Sequence, residues 1–210
     1  MRILDRSLSR LPRPYRTLID WALTLCVAMF GILIFQAEVA KPYRIPTASM
    51  EPTLHCGKPA DGCRAHISDR VIANRIVYRF HAPKRGDIVV FDAPAIVQSA
   101  CNAAGVFVKR IIGLPGEKVS MRSGDVFING IRLNERYLAS GGRGTESGEW
   151  PRSPQSGYFV LGDNRTMSCD SRRWGTVPRR SIIGRVDARY WPPNRAGEPP
   201  ATAITFPLGE

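Results

Sequence analysis

The stretch from which this chain is best understood reads Val106-Phe107-Val108-Lys109-Arg110-Ile111-Ile112. Its β-branched and aromatic residues predict a strand, and side-chain alternation along a strand places Phe107, Lys109 and Ile111 on one face. An amine in such an apolar wall loses hydration, which can lower a lysine pKa from about 10.4 to about 7 to 8. Lys109 is therefore a candidate general base. The alternative is a lysine at a strand edge that keeps its charge in water.

The sequence around this stretch predicts a mainly β domain. Runs rich in β-branched and aromatic residues, bounded by Gly and Pro, predict strands at 71–78, 87–91, 158–161 and 182–186, and another that begins at Val119. Residues 126–133 predict a hairpin, because Asn129-Gly130 suits a type I′ turn. The glycine-rich stretch 140–148 predicts a loop, and the Pro-rich tail after Trp191 predicts irregular structure.

A lysine base needs a hydroxyl to act on, and Ser49 in the turn Ile45 to Leu54 is the best candidate. Prolines on both sides of Ser49 restrict the backbone and predict a rigid, exposed turn. A serine becomes a good nucleophile only with a base within about 3 Å. The histidines stand in no motif with an acid, so a Ser/His/Asp triad is not favoured: His55, His66 and His81. The alternative is that Ser49 only caps a turn.

An apolar run at 21–40 predicts a transmembrane anchor, since it carries one charge, Glu38, and about 20 apolar residues cross roughly 30 Å of hydrocarbon as a helix. Five arginines and two aspartates precede this run. By the positive-inside rule they predict a cytoplasmic tail at 1–20 and an extracytoplasmic domain at 41–210. A buried core helix and a cleavable secretory signal are alternatives. The run lacks a polar face, however, and Glu38 stands where a cleavage site needs a small residue.

The chain is basic, with a formal net charge of +12 over 210 residues. This charge would permit nucleic-acid binding, but the basic residues are scattered and no aromatic-rich binding motif accompanies them. Attraction to an anionic membrane surface explains the same charge and agrees with the predicted anchor.

Cysteine usage is compatible with an external domain. Cys26 lies inside the apolar run and is interpreted as a small hydrophobic residue. Four cysteines follow the run, and their even number permits disulfides: Cys56, Cys63, Cys101 and Cys169. A bond between Cys56 and Cys63 would contribute about 2.5 kcal/mol, whereas the pairing of the other two is left open. A metal site is the alternative for the first pair, because His55 and His66 lie nearby, although the spacing fits no common zinc pattern.

Four segments occur in an order that resembles bacterial type I signal peptidases, the membrane-anchored Ser/Lys endopeptidases. They are 45–54 around the serine, 69–74, 108–117 around the lysine, and 162–172. No single segment is decisive, but the ordered set is specific and, with the anchor, covers nearly the whole outer chain. The resemblance implies a β-rich catalytic domain of the signal-peptidase type after one transmembrane helix. The insertion that contains Cys56 and Cys63 is similar to actinobacterial members.

The resemblance also implies roles for individual residues. Ser49 is then the nucleophile and Lys109 the general base, while the Ser49 amide and the hydroxyl of Thr47 stabilise the oxyanion. Five further residues are implied to support the site: Ser168, which orients the lysine amine, Asp163 and Arg165 in an ionic network, and Asp170 with Arg172, which brace the lysine strand. Cys169 stands where the family usually has a small residue. No metal or cofactor is implied.

The implied substrates are signal peptides of exported preproteins, cut after small residues at the first and third positions before the bond. The implied partners are these peptides and the lipid membrane, without nucleic acid. The implied location is the cell membrane, as a single-pass protein with a cytoplasmic N-terminus. A Ser/Lys peptidase of conjugative transfer or of another export pathway would share the four segments and is the nearer alternative. A non-enzymatic anchored β-domain would not depend on Ser49 or Lys109.

Overall fold

The computed structural model describes residues 12–139, 141–150, 157–199 and 204–206. The chain divides into two compact units, Met1–Ala40 and Lys41–Glu210. Helix α1 (Arg13–Glu38) makes up most of the described part of the first unit.

Large apolar side chains of α1 are exposed along its length; Trp21 and Phe30, for example, are 65% and 66% exposed. In the described residues, no helix has the combination of length and apolar character required to cross a membrane. The anchor over 21–40 therefore stays a prediction. Most of the predicted basic tail, residues 1–11, lies outside the described residues.

The second unit is mainly β, as predicted from the sequence. In its described part the strands are β1 (Ala40–Arg44), β2 (Arg70–Asn74), β3 (Ile88–Asp92), β4 (Val106–Gly113), β5 (Val119–Arg122), β6 (Asp125–Ile128), β7 (Ile131–Arg132), β8 (Gly148–Glu149), β9 (Gly157–Leu161), β10 (Val177–Pro178) and β11 (Ile182–Trp191). One sheet has seven strands in the order β1-β2-β11-β3-β4-β9-β10. The other has four, in the order β7-β6-β5-β8.

The predicted hairpin is confirmed, with β6 and β7 paired antiparallel. Its two turn residues, Asn129 and Gly130, have φ values of 51° and 89°. Positive φ at both central positions is what a type I′ turn requires.

The predicted strand over 71–78 is wrong in its second half. Strand β2 ends at Asn74, and the short helix α2 (Val77–Phe80) follows. The side-chain oxygen of Asn74 accepts hydrogen bonds from the N–H groups of Ile76 and Val77, at 3.0 and 3.1 Å. These local bonds turn the chain out of the sheet. The strand predicted at 182–186 is longer than expected, because β11 continues to Trp191 while it pairs with β2.

Strand β4 lies inside the larger sheet, between β3 and β9. Its register places Lys109 opposite Val89, and Arg110 opposite Ile88 on one side and Leu161 on the other. Both neighbouring strands are rich in fully buried residues. The two charged residues of β4 are therefore held within an apolar core.

Two disulfides are present, Cys56–Cys63 and Cys101–Cys169. The first removes both cysteines as thiolate ligands, so the metal site considered around them has lost its sulfur donors. The second joins helix α3 (Ile96–Cys101) to the segment just before helix α4 (Ser171–Trp174). Each bond therefore restrains a connection between strands.

We expect the two disulfides to contribute unequally to stability. A disulfide stabilises a protein largely by restricting the unfolded chain, and the separations are 7 residues for Cys56–Cys63 and 68 for Cys101–Cys169. Replacing Cys101 and Cys169 by Ser should lower the free energy of unfolding by about 4 kcal/mol, against about 2.5 kcal/mol for Cys56 and Cys63. Urea unfolding of the two double variants measures this difference. A larger loss for the short loop would contradict the expectation.

Candidate active site

The side chains of Ser49 and Lys109 meet in the structure. The Nζ atom of Lys109 lies 2.7 Å from the Oγ atom of Ser49. Both residues are buried, with 7% and 3% of their surface exposed. Lys109 Nζ also donates to the carbonyl oxygen of Val108 at 3.1 Å and lies 5.5 Å from the ring centre of Phe107. A hydroxyl and an amine at this distance can exchange a proton directly.

Burial lowers the pKa of Lys109 from its ordinary value of 10.5 to about 8. Loss of hydration is the main cause, since removal from water disfavours the charged amine. The carboxylates of Asp170 and Asp163 oppose this shift, and the positive charge of Arg172 adds to it. Among the described residues, no carboxylate lies within ion-pair distance of the amine. Lys109 therefore loses its proton near pH 8, which leaves part of the amine neutral at neutral pH.

Ser49 lies in a single turn of 3-10 helix, Ala48–Met50. The prediction of an exposed turn is wrong, since all three residues of this turn are buried. Apolar packing is the reason, because Met50 and Leu54 belong to one hydrophobic core cluster. The hydroxyl of Thr47 lies 3.3 Å from the hydroxyl of Ser49, within hydrogen-bond distance.

Gly162 lets the segment after β9 approach the serine turn closely. A Cβ atom at Gly162 would lie 2.4 Å from the carbonyl oxygen of Ser49 and 2.2 Å from Oγ of Ser168. The same carbonyl of Ser49 accepts a hydrogen bond from the N–H of Asn164 at 3.1 Å. Only a residue without a side chain allows these two segments to pack so tightly.

Ser168 lies in this packed region, but it does not make the predicted hydrogen bond. Its hydroxyl is buried and has no hydrogen-bond partner in the part of the chain that the structure describes. The expected bond to the amine of Lys109 is therefore absent from this structure.

Asp163 and Arg165 each belong to a buried ion pair, with partners that the resemblance does not specify. Asp163 is paired with Arg110, through two bonds of 2.9 and 2.7 Å, and not with Arg165. Arg165 instead makes a bidentate pair with Glu135. Thr53, four residues after Ser49, donates to Asp163 at 2.5 Å. This network ties the lysine strand and the segment after Ser49 to the turn that follows β9.

The sequence analysis did not identify Arg110 as the partner of Asp163 or Glu135 as the partner of Arg165. Arg110 had a signal, because it follows Lys109 in a strand predicted to be buried, and a buried arginine needs a carboxylate. Glu135 had no comparable signal, since it lies in an irregular segment far from the four recognised ones. Tyr137 joins the two ion pairs: its ring lies 4.2 Å from the guanidinium of Arg110, and its hydroxyl donates to Glu135 at 2.5 Å.

Asp170 and Arg172 brace the turn after β9, and among the described residues neither makes a hydrogen bond to the lysine strand that the resemblance implied they brace. Arg172 donates to Asp170 at 2.8 and 2.9 Å and to the carbonyl oxygens of Arg165 and Ser168 at 2.7 and 3.1 Å. Asp170 also accepts from the N–H of Gly162 at 3.0 Å. The pair therefore fixes the backbone on both sides of Ser168.

A cleft of about 330 Å³ opens beside Ser49 and Lys109. Its lining is mostly apolar and contains no histidine among the described residues. It comes from 43–47, 49–50, Cys101, 103–104, 106–109, Met167 and Cys169. Ile45 and Val108, which flank the serine and lysine segments, are both among the lining residues. A space of this size accommodates small side chains next to the hydroxyl.

Comparison with known proteins identifies relatives over most of the chain. Residues 18–191 match the family described as "Signal peptidase, peptidase S26". The chain is 40% identical over 184 residues to a "Probable signal peptidase I-2" of Synechocystis sp., covering 88% of this chain and 78% of that protein. It is 39% identical over 190 residues to a "Signal peptidase I" of Leptolyngbya laminosa, covering 89% and 86%. A "Signal peptidase I" of Mycobacterium tuberculosis is 32% identical over 233 residues, covering 89% and 77%. The first two are thus more similar to this chain than the actinobacterial protein is.

Replacing Lys109 by Met should stabilise the protein at neutral pH. A pKa lowered from 10.5 to about 8 destabilises the fold by about 3 kcal/mol below pH 8, where the native lysine must be charged. This cost fades as the pH rises from 8 to 10.5 and is absent above it. Lys109→Met should therefore raise the free energy of unfolding by about 1 to 3 kcal/mol at pH 7, with a smaller gain at pH 9.5.

The neighbouring arginine provides the control for this prediction. Arg110→Met removes one partner of a buried pair and should lower the free energy of unfolding by about 3 to 5 kcal/mol. Urea unfolding at the two pH values measures both variants. A loss of stability in Lys109→Met equal to that in Arg110→Met would contradict the prediction, because it would show that a partner stabilises the charged amine.

Proposed function

The chain belongs to the peptidase S26 family of signal peptidases, and from this premise we propose that Ser49 and Lys109 form its catalytic dyad. Members of this family are serine endopeptidases that remove signal peptides from exported preproteins. The observation that carries the assignment to these two residues is the 2.7 Å separation of Lys109 Nζ and Ser49 Oγ. The lowered pKa of Lys109 supports it, because only the neutral amine can accept a proton.

In the proposed mechanism, neutral Lys109 takes the proton of the Ser49 hydroxyl while the serine oxygen attacks the scissile carbonyl carbon. The resulting tetrahedral intermediate collapses when the leaving amine receives the proton from Lys109, which leaves an acyl-enzyme on Ser49. Water then attacks this ester, with Lys109 again acting as base. The second tetrahedral intermediate collapses, which releases the signal peptide and restores the Ser49 hydroxyl. The chemistry requires no metal or cofactor.

The oxyanion of this intermediate would be held by the N–H of Ser49 and the hydroxyl of Thr47. The first turn of a helix leaves its N–H groups without intrahelical acceptors, and Ser49 is the second residue of such a turn. The hydroxyl of Thr47 lies 3.3 Å from Ser49 Oγ, close enough to reach an oxygen on the attacked carbon. Donors fixed before the reaction stabilise the developing charge without reorganisation.

The other predicted site residues would position the dyad without contacting the substrate. Asp163 with Arg110, and Arg165 with Glu135, would hold the serine and lysine segments in register. Asp170 and Arg172 would fix the backbone around Ser168. Ser168 would orient the amine after a change of side-chain rotamer, since its hydroxyl is buried nearby and unpartnered within the described residues.

The membrane anchor forms part of this proposal. Helix α1 has 26 residues, and its exposed side chains between Leu18 and Phe35 are predominantly apolar. Arginines before the run support a cytoplasmic tail, with the domain from Lys41 onward outside the membrane. A single-pass protein of this kind would share the membrane with the signal peptides it cuts. Its positive net charge would favour an anionic lipid surface rather than nucleic acid.

The dyad predicts the effect of removing either residue. Ser49→Ala and Lys109→Ala should each lower kcat/KM for a preprotein by at least about 1,000-fold, and the double variant should be hardly worse, because the two residues act as a unit. Ser99→Ala and Lys118→Ala, at exposed positions, are the controls and should retain activity. Cleavage by detergent-solubilised protein gives the rates, and circular dichroism checks the fold. Near wild-type activity in Ser49→Ala or Lys109→Ala would refute the assignment.

Deletion of residues 1–40 tests the anchor. We expect the truncated protein to cleave a short soluble peptide at nearly the wild-type rate. It should cleave a membrane-embedded preprotein about tenfold more slowly or worse, because the search is no longer confined to the membrane. Replacing residues 12–38 by an unrelated single-pass apolar helix should restore the rate. Equal losses on both substrates would mean that this segment serves folding or the site itself.

A further inference from the structure

The Cys101–Cys169 disulfide has no role in the proposed mechanism, although it lies beside the dyad. The chain between β3 and β4 leaves the sheet at Asp92, which pairs with Val106, and the N–H of Ala93 donates to the carbonyl of Gly105 at 2.9 Å. This excursion, residues 93–105, is thus closed by a backbone hydrogen bond between its two ends. At its far end, Cys101 is joined covalently to Cys169, next to Ser168.

This excursion supplies part of the cleft beside the dyad. Cys101, Ala103 and Ala104 line the cleft, and so does Cys169 at the other end of the bond. The stretch 43–47 lines it as well. In contrast, neither Cys56 nor Cys63 is among the lining residues. The chain therefore has one disulfide within the cleft and one outside it.

Alanine side chains cannot adjust the width of a cleft by changing rotamer, so their backbone decides how far the cleft extends. In helix α3 the side chain of Val97 is fully buried, whereas that of Ile96 is 55% exposed. The chain then turns at Asn102, which has a φ of 48°. A helix of six residues with such limited burial is weakly held by packing alone. The disulfide therefore adds a covalent constraint on the position of Ala103 and Ala104, beside the backbone hydrogen bond at Gly105.

We propose that the Cys101–Cys169 disulfide sets the width of the cleft and thereby restricts the substrate to small side chains next to the scissile bond. The inference rests on the proposed function, because it concerns the substrate of that same site. Breaking the bond lets the excursion move away from 43–47, and the cleft then admits a larger residue. The two cysteines act here as positioning residues, since they hold the alanine-lined wall and take no part in the proton transfer.

The test compares two soluble peptides that carry Ala or Val at the position before the scissile bond. The ratio of their kcat/KM values is measured on one preparation of the full-length protein in detergent, so that it is independent of the folded fraction. We expect Cys101→Ser/Cys169→Ser to lower the Ala to Val ratio by about tenfold, as expected for a pocket that no longer excludes added methyl groups. The matched control, Cys56→Ser/Cys63→Ser, should keep the wild-type ratio.

Two further measurements use protein in which the cleft disulfide can form. The Cys56→Ser/Cys63→Ser variant has Cys101–Cys169 as its remaining disulfide, and dithiothreitol should lower its ratio reversibly, with recovery on reoxidation. Ala103→Val narrows the cleft directly and should raise the ratio. An unchanged ratio after loss of the cleft disulfide, or an equal fall in the control, would overturn this inference alone. Failure of the wild-type protein to cleave either peptide would overturn the proposed function, and this inference with it.

Discussion

Burial of an amine beside a hydroxyl is the constraint on which the rest of this site depends. Lys109 is 3% exposed, and its Nζ lies 2.7 Å from Ser49 Oγ, so the charged form of the amine is disfavoured at the place where a base is needed. At pH 7 a lysine in water is neutral in only about 0.03% of molecules, whereas a pKa near 8 leaves about 10% neutral and able to act as a base. The fold must hold this group out of water despite a cost of about 3 kcal/mol.

Arg110 and Lys109 are adjacent in β4 but differ in charge state. In the part of the chain that the structure describes, Arg110 has a carboxylate partner and Lys109 has none. Arg110 is as buried as Lys109, but Asp163 binds it through two hydrogen bonds, so it keeps its charge and joins the segments around the site. Asp163 and Asp170 raise the pKa of Lys109 by their negative charge, without a hydrogen bond to its amine among the described residues. This difference in pairing makes Arg110 structural and leaves Lys109 able to exchange a proton. Gly162 completes the arrangement by allowing the turn after β9 to reach the serine segment.

The sequence predicted the parts of this arrangement that depend on local patterns. Alternation around Lys109 predicted its burial and its lowered pKa, and Asn129-Gly130 predicted the hairpin. Contacts between distant segments were harder to predict. The resemblance named Asp163 and Arg165 as members of a network, but their partners, Arg110 and Glu135, depend on how the loops pack. The burial of Ser49 was missed for a similar reason, because the prolines indicated a turn but not the core that encloses it. Asn74 ended a strand that β-propensity alone would have continued.

The measurement that tests the central claim most directly is titration of the Lys109 amine. Nuclear magnetic resonance of protein with isotopically labelled lysine side chains, in wild-type protein and with Lys109→Arg to assign the signal, gives its pKa without reference to activity. We expect a midpoint near 8, well below the ordinary value of 10.5. Exposed Lys118 in the same sample should titrate in the ordinary range of about 10 to 11. A midpoint for Lys109 in that same range would contradict a buried base, because only about 0.03% of the amine would then be neutral at pH 7, against about 10% for a midpoint near 8.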